Sequence, residues 1–512
     1  MSTTRFSLRS GVALLVALMV AGAGPAAASD ASGGDVVEHI EAHVADGLRV
    51  NHVPGAALAV VDDDGEVHLR GFGVTGRDGE RVTPDTPFVI GSTTKSMTAL
   101  AVLQLVEDGA VDLDDPLAHH LDGFEVLPAS WSDQVTVRRL LEHTSGLPPL
   151  AGAPATTWLQ DVPIAEAAAR VNGTELVSEP GEAWQYTNAN YVLLGALVEQ
   201  VTGRPYAEHL EERLFTPLGM TRTTARLDDA RRLGLRDGHR YVLGIPVAHL
   251  AHREGLVPAG LVVSTARDLG RYLQALLQCG HLDGERVLSE EGVEALFTPA
   301  AVATLGPWAK QPTASYGFGW FVGEGPFGPT PTVFHPGATP DFGTTAALVP
   351  STSSGLVLLV NVGPRVAVPG ADGDIDRIGA GAVSLLIGSE PAGAGTVVDA
   401  YRVATPVLGL LVLLAVLLAV VRPSPRRRPR RHVAIATATA AAGLALLALP
   451  TFYLGWRQNW LWAPDLTAVA GLAGTAFMVA AVRRLLAVRA VRHVTGPTTA
   501  ITEPPIPSAA AR

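Results

Sequence analysis

The chain has 512 residues and a mass of 53.3 kDa, with 47% hydrophobic and 17% charged residues, which suits one globular domain joined to lipid-embedded segments. Its formal net charge is −11. From Arg422 to Arg512 there are 12 arginines and two acidic residues, so this part carries +10 and the preceding residues carry −21. An acidic main domain excludes nucleic acid as a partner, because phosphate binding needs clustered Lys and Arg.

Residues 1–28 are predicted to be a secretory signal. Arg5 and Arg9 precede the apolar run GVALLVALMVAGAG, and three alanines at 26–28 supply a small-residue cleavage site. The alternative is an uncleaved anchor, although the apolar core is short for a bilayer that needs about 20 residues. The single cysteine, Cys279, excludes an intrachain disulfide, and we expect it to be a small buried side chain.

The first elements after the signal are a helix and a β-hairpin. VVEHIEAHVADGLRV has apolar residues at helical spacing and stops at Pro54-Gly55. AALAVV and VHLRGFGV then flank the turn DDDGE, which predicts two paired strands. A helix is predicted from Ser92 to about Asp108, where Gly109 ends it.

Helical patterns dominate from Asp112 to Glu290, and strand-like runs return from Tyr316 to Val362. Strands near both ends of a helical middle predict one sheet assembled from the N- and C-terminal portions. The predicted class is therefore α+β, with helices on the sheet and a helical lobe, over a domain at 29–387.

A membrane module is predicted after a small-residue linker at 388–402. Three apolar stretches, Val403–Val421, Val433–Phe452 and Leu466–Val482, each approach the length that crosses a bilayer. Arginines cluster after the first and third stretches, so the positive-inside rule puts those segments and the tail at 483–512 in the cytoplasm. This orientation leaves the main domain outside, as the signal also predicts.

Only two lysines, Lys95 and Lys310, occur beside 36 arginines. A buried ammonium can lose its proton whereas guanidinium stays charged, so Lys95 can be a base where Arg cannot. Ser92 lies three residues earlier at a helix start, which brings the two side chains onto one face. We interpret them as nucleophile and base, with the Ser92 N–H facing a developing oxyanion. The alternative is a helix-capping serine beside a surface lysine.

Further motifs accompany GSTTK at 91–95: LLEHTSGLP at 140–148, PGEAWQYTN at 180–188, PAGLVVSTARDLGRY at 258–272, YGFGW at 316–320 and FHPG at 334–337. Together they resemble the serine β-lactamase and penicillin-binding-protein family, most closely its class C, D-alanyl-D-alanine carboxypeptidase and esterase branch. The resemblance spans about residues 36–385 and implies a β-lactamase/transpeptidase-like fold.

The resemblance also implies roles. Tyr186 becomes a proton-transfer partner and Asn188 a contact for the substrate amide, while His143 is structural. His335 and Gly337 belong to the third motif, on a strand lining the site, and the Ala338 N–H can complete the oxyanion hole.

The third motif departs from relatives that cleave β-lactams or D-Ala-D-Ala. Those proteins carry hydroxyl side chains where this chain has Pro336 and Ala338, and neither residue can donate such a bond to a substrate carboxylate. We therefore expect an esterase or peptidase with poor β-lactam turnover.

The sequence thus predicts an exported, membrane-anchored serine hydrolase acting on a small-molecule or peptide acyl substrate, with cell-wall peptides among the candidates. No metal or organic cofactor is required. Two alternatives remain open: a membrane receptor that uses the same pocket to sense β-lactams or cell-wall peptides, and a catalytically idle binding protein.

Overall fold

The computed structural model describes residues 33–62, 64–76, 79–148, 161–303, 314–324, 327–364, 374–391, 400–420, 429–453 and 456–494. The predicted signal at 1–28, most of the linker and residues 495–512 of the tail lie outside these ranges. The strands are β1 Gly55–Val61, β2 Val67–Gly73, β3 Phe88–Val89, β4 Val126–Leu127, β5 Thr174–Glu175, β6 Gly238–Val242, β7 Ile245–His249, β8 Val263–Ser264, β9 His281–Leu282, β10 Glu285–Arg286, β11 Ala301–Val302, β12 Ser315–Tyr316, β13 Phe321–Gly323, β14 Thr332–Ala338, β15 Gly343–Val349 and β16 Ser354–Val360.

The helices comprise fifteen α segments within the described residues. They are α1 Gly33–Asn51, α2 Thr94–Glu107, α3 Val137–Leu141, α4 Ile164–Ala169, α5 Asn188–Thr202, α6 Tyr206–Leu210, α7 Leu227–Arg232, α8 Val257–Gly260, α9 Ala266–Leu277, α10 Glu290–Phe297, α11 Asp374–Leu386, α12 Ala400–Val420, α13 Pro429–Tyr453, α14 Trp456–Trp462 and α15 Pro464–Val494.

An eight-stranded antiparallel sheet organises the main domain, in the order β11-β12-β13-β14-β15-β16-β1-β2. The N-terminal strands β1 and β2 thus join the sheet beside β16, close to the end of the domain. This confirms the predicted α+β class and the assembly of one sheet from both ends of the sequence. The remaining strands of the described residues form four separate two-stranded pairs.

Strand β1 is buried along its whole length, so the sheet is covered on both faces. Side chains alternate between the faces of a strand. Ala57, Ala59 and Val61 belong to one hydrophobic core, which contains α2, α5 and α9, whereas the even-numbered β1 residues belong to a second core with α1 and α11. Helix α2 is buried from Thr94 through Leu105, so it is the central helix of the larger core.

Two local expectations need correction. Cys279 is exposed rather than buried, because it follows α9 at a backbone φ of 53° and its neighbour Gly280 completes the reversal of the chain. Residues 238–249 form an antiparallel hairpin, β6–β7, inside the region from Asp112 to Glu290 where helical patterns dominate the sequence.

The described residues between 400 and 494 are almost all helical, and two stretches among them are long and apolar enough to cross a membrane: Arg430–Ala448 and Pro464–Val491. The first predicted span corresponds to α12, of 21 residues, and the count of three spans stays a prediction. Helices α13 and α15 approach closely through glycines, since a Cβ on Gly443 would lie 2.9 Å from the carbonyl oxygen of Gly474. Such small-residue contacts favour helix association in lipid.

Asn361 links three chain segments by hydrogen bonds at the end of the central strands. Its Oδ1 accepts from the Gly55 N–H at 2.8 Å, and its Nδ2 donates to the Val74 carbonyl at 2.8 Å. The side chain is 3% exposed. Removing it leaves the buried Gly55 N–H without its acceptor.

Asn361→Ala is expected to lower the free energy of unfolding by about 1–3 kcal/mol, which is the cost of an unsatisfied buried donor. Denaturant unfolding of the detergent-solubilised chain, followed by tryptophan fluorescence, measures it. Asn172→Ala, at an exposed position, is the matched control and should stay within about 0.5 kcal/mol of wild type. Equal effects of the two changes would contradict the role of Asn361.

Candidate active site

Ser92 lies in a short 3₁₀ turn, Gly91–Thr93, that leads directly into α2. Gly91 has a φ of 56°, and a Cβ built on it would lie 2.4 Å from the backbone nitrogen of Ala338. Only glycine therefore permits this close approach between the turn and β14. Thr93 secures the contact by donating its hydroxyl to the His335 carbonyl at 3.2 Å.

Lys95 is fully buried one turn further along, and its amine contacts three oxygen atoms. Nζ lies 3.1 Å from Ser92 Oγ and 2.8 Å from Asn188 Oδ1, and it donates a third, short bond to the Ala259 carbonyl. Burial holds the pKa of Lys95 well below its usual value. A neutral amine has two N–H groups and one lone pair. The carbonyl of Ala259 and the amide oxygen of Asn188 both accept from Nζ, so a neutral amine held in this way would keep its lone pair for the Ser92 hydroxyl.

Asn188 is positioned by the start of α5. Thr187 caps this helix, its side chain accepting from the Ala189 N–H. Asn188 is therefore the first helical residue, and its side chain reaches Lys95. Ala259 comes from α8, so three separate helices supply the groups around the amine.

Tyr186 lies beside the same amine. Its hydroxyl hydrogen-bonds Ser92, and its ring centroid is 4.9 Å from Lys95 Nζ. Burial of the hydroxyl raises the pKa of Tyr186, while the bond to Ser92 opposes that shift. The phenol therefore holds its proton at neutral pH.

His143 packs against Tyr186, and the centroids of the two rings are 4.4 Å apart. Asn190 Nδ2 donates to His143 Nδ1 at 2.9 Å, and the Gln185 N–H donates to the His143 carbonyl at 2.7 Å. Burial, followed by the nearby charge of Lys95, holds the pKa of His143 well below its usual value. These contacts hold the 185–190 segment and fit the structural role that the family resemblance implied.

His335 is buried on β14 and turns toward the aromatic cluster under Tyr186. Nδ1 donates to the Pro336 carbonyl at 2.7 Å, so Nε2 is the acceptor for the Tyr316 hydroxyl at 3.2 Å. Burial, followed by the charge of Lys95, lowers the pKa of His335 to about 3. The ring is therefore neutral at physiological pH and provides no cation for a substrate carboxylate.

The rest of the third motif faces the site through its backbone. Pro336 and Ala338 are exposed, whereas Gly337 is buried. A Cβ on Gly337 would lie 2.1 Å from the Ile90 carbonyl, so this glycine is also required by close packing. The structure thus brings together Ser92, Lys95, Tyr186 and Asn188 with the backbone of β14, while the His335 side chain packs behind them.

Sequence reasoning missed Asp341, which lies in the turn between β14 and β15. Its carboxylate is fully buried and accepts bonds from His249 Nδ1 and the Ala251 N–H. The His239 N–H also donates to its carbonyl at 3.1 Å. Asp341 therefore fixes the turn that follows Ala338. A lone Asp in a Pro-Asp-Phe turn gave no signal, because its partners lie about 90 residues earlier.

One group of potential metal ligands occurs in the described residues: Asp62, Glu66 and His68, whose ligand atoms lie within 4.8 Å of one another. They are at the turn between β1 and β2, and none of them is fully buried. His68 Nε2 bonds Asp62 Oδ2 at 3.0 Å, and Asp62 Oδ1 accepts from the Glu66 N–H. These bonds account for the cluster as a turn that is closed by its own side chains.

Residues 40–379 match the Beta-lactamase family. The chain belongs to this family. Among curated relatives, Penicillin-binding protein 4 of Amycolatopsis lactamdurans is 34% identical over 326 residues, covering 62% of this chain and 84% of that protein. Protein flp of Staphylococcus aureus strain MW2 is 26% identical over 331 residues, and this chain spans 64% of its length.

Solved structures give the same fold. The octameric penicillin-binding protein homologue from Pyrococcus abyssi superposes with a TM-score of 0.60 at 26% identity, over 73% of this chain and 81% of that one. The D-amino acid amidase from Ochrobactrum anthropi SV3 superposes with a TM-score of 0.53 at 26% identity, over 64% of this chain and 92% of that one. The chain is therefore a serine hydrolase of the β-lactamase-related family.

Lys95→Arg is expected to lower the rate of Ser92 acylation by about 10²–10⁴-fold, the usual contribution of a general base, because guanidinium stays protonated. In the wild type, the rate should persist at neutral pH and fall as acid protonates the amine through its lowered pKa. Stopped-flow acylation across pH measures both effects. An Arg variant with wild-type rate, or an acidic limb at the ordinary lysine pKa, would contradict the assignment.

Proposed function

We propose that this chain is an exported, membrane-anchored serine hydrolase that forms an acyl-enzyme on Ser92 and acts on an ester, an amide or a D-amino-acid peptide. The observation that carries the proposal is the buried Lys95 amine, which lies 3.1 Å from Ser92 Oγ and has two other oxygen partners; in its neutral form these partners would leave the lone pair for the Ser92 hydroxyl. A surface lysine beside a capping serine would have neither the burial nor these partners.

Acylation begins with attack of Ser92 Oγ on the substrate carbonyl carbon while Lys95 Nζ accepts the hydroxyl proton. The carbonyl oxygen gains the negative charge, and the N–H groups of Ser92 and Ala338 are proposed to hold it. The close approach of Gly91 to Ala338 supports this pairing, since it puts the two backbones on either side of the reacting centre.

The tetrahedral intermediate then expels the leaving group, and Tyr186 donates its proton to the departing oxygen or nitrogen. The resulting phenolate lies beside the Lys95 ammonium, which returns the proton and restores both groups. In deacylation, water attacks the acyl carbon and gives up its proton to the same amine, and the resulting ammonium donates a proton to Ser92 Oγ as the acyl bond breaks. Asn188 orients the acyl group while its oxygen holds Lys95.

Substrates without a carboxylate beside the scissile bond fit the site best. His335 is neutral because of its burial, and Pro336 and Ala338 carry no donor on their side chains. A penicillin carboxylate would therefore meet no charged or hydroxyl partner from this strand. The similarity to a D-amino acid amidase supports amides and D-amino-acid derivatives as the first substrates to test.

Membrane anchoring is proposed from the C-terminal helices. Two of them have the length and apolarity of spans, and the arginines beyond α12 and within the last turns of α15 favour a cytoplasmic position for those ends. The β-lactamase-related domain then lies on the outer side, where cell-wall peptides are available.

Time-resolved intact mass of the detergent-solubilised chain should reveal a covalent adduct with a short-chain ester or a D-amino-acid amide, absent from Ser92→Ala. Rapid decay of the adduct is expected for a hydrolase. A persistent adduct would favour the receptor alternative instead, and no adduct with any of these acyl donors would overturn the acyl-enzyme proposal.

Pro336→Thr is expected to raise the rate of acylation by benzylpenicillin about 10-fold or more, the equivalent of one hydrogen bond to a charged group at about 1.5–3 kcal/mol. Pro336→Val is the matched control, since it has the shape of Thr without the hydroxyl. Equal rates for the two variants would show that carboxylate anchoring does not limit penicillin turnover.

A further inference from the structure

The hairpin β6–β7 has an unusual residue at its tip. Leu243 and Gly244 connect the strands with φ values of 52° and 79°, as in a type I′ turn. Asn, Asp and Gly are the residues preferred at the first of these positions, and a bulky residue at positive φ is strained. Leu243 is nevertheless 59% exposed, so packing within the protein does not explain it. Strain of this kind suggests a function for the side chain.

Leu243 continues into an exposed apolar edge. Ile245 is 64% exposed and Val247 40%, and residues two apart lie on the same face of a strand. In the described part of residues 33–391, six large hydrophobic side chains are at least 40% exposed, and three of them are on this hairpin. We call these three residues, Leu243, Ile245 and Val247, the hairpin edge.

The hairpin tip is bonded to the segment that connects the two candidate spans. The Leu243 N–H donates to Asp465 Oδ2 at 2.6 Å, and Arg240 Nη1 lies 3.5 Å from the Leu461 carbonyl. Asp465 is the second residue of α15, and Leu461 belongs to α14. Trp456 and Trp460 in this connection are exposed, and tryptophan is enriched at the membrane–water interface. The hairpin edge therefore lies at the same end of the spans as an aromatic belt.

We propose that the hairpin edge rests in the headgroup region of the lipid bilayer, on the side of the α13–α15 connection. This rests on the membrane anchoring proposed above. Lipid explains both the exposure of the edge and the choice of leucine at a strained turn, because a large apolar side chain at the tip contributes binding free energy only where it meets lipid.

The same hairpin is also linked to the active site by hydrogen bonds. Tyr241 donates to the Asn51 carbonyl at 2.7 Å, which attaches the hairpin to α1. Strand β7 ends at His249, about 13 Å from Ile245 at ~3.3 Å per residue, and His249 binds the buried carboxylate of Asp341. Asp341 in turn fixes the turn after Ala338. The hairpin thus sets β14, which carries the Ala338 N–H, at a fixed height above the bilayer. This placement favours acyl donors at the membrane surface.

Lipid quenching of a site-specific fluorophore tests the proposal. The full chain, carrying Cys279→Ser and Ile245→Cys labelled with an environment-sensitive dye, is placed in phosphatidylcholine nanodiscs with lipids that bear a nitroxide near the headgroup. Val302→Cys is the matched control: its native side chain is also 64% exposed, on β11 at the opposite edge of the sheet from β2. Leu472→Cys, 64% exposed on α15, reports whether that helix is embedded.

Strong quenching at 245 and 472 with little at 302 is the expected result. Quenching at 472 without quenching at 245 would overturn the hairpin proposal alone, and so would equal quenching at 245 and 302. No quenching at 472, even with nitroxides deep in the acyl chains, would instead overturn the membrane anchoring. If Ile245→Cys fails to fold, as judged by thermal unfolding, Val247→Cys replaces it with the same expected outcomes.

Discussion

The site depends on burying one amine, Lys95, in the core of the domain. Lys95 has no exposed surface, and burial holds its pKa well below the usual value, which favours the neutral form of the amine. Satisfying it requires two acceptor oxygens from other elements, which Asn188 and Ala259 provide. The cap of α5 and the position of α8 therefore have the same effect as the start of α2: they hold the Lys95 amine against Ser92.

Strand β14 completes the site through its backbone and not through charge. The third-motif histidine is turned inward, where it bonds Tyr316 and supports the aromatic cluster under Tyr186. The outward positions are Pro336 and Ala338. The arrangement fits the proposed acyl transfer, and the outward side chains of Pro336 and Ala338 offer no donor to a substrate carboxylate.

Short-range patterns predicted the elements, and long-range partners remained hidden. Local periodicity was enough to predict the Ser92–Lys95 pair and the β1–β2 hairpin. It also located the strands at both ends of the domain that form one sheet. The inward turn of His335 depends on Tyr316, and the role of Asp341 depends on a hairpin about 90 residues away. That hairpin has Leu at its turn instead of Asn or Asp, so the usual turn signal was missing. The partners of Lys95, Ala259 above all, are likewise set only by tertiary packing.

The charge state of Lys95 is the central claim, and the chain offers a direct way to measure it. Because only two lysines are present, labelling with ¹³Cε-lysine gives two side-chain signals, and Lys310→Arg assigns them. The account predicts that the Lys95 signal is that of a neutral amine at neutral pH and titrates only in acid, well below the ordinary lysine range. A Lys95 signal that titrates near the ordinary value would mean that the amine is charged at rest, and Lys95 would then not be the base.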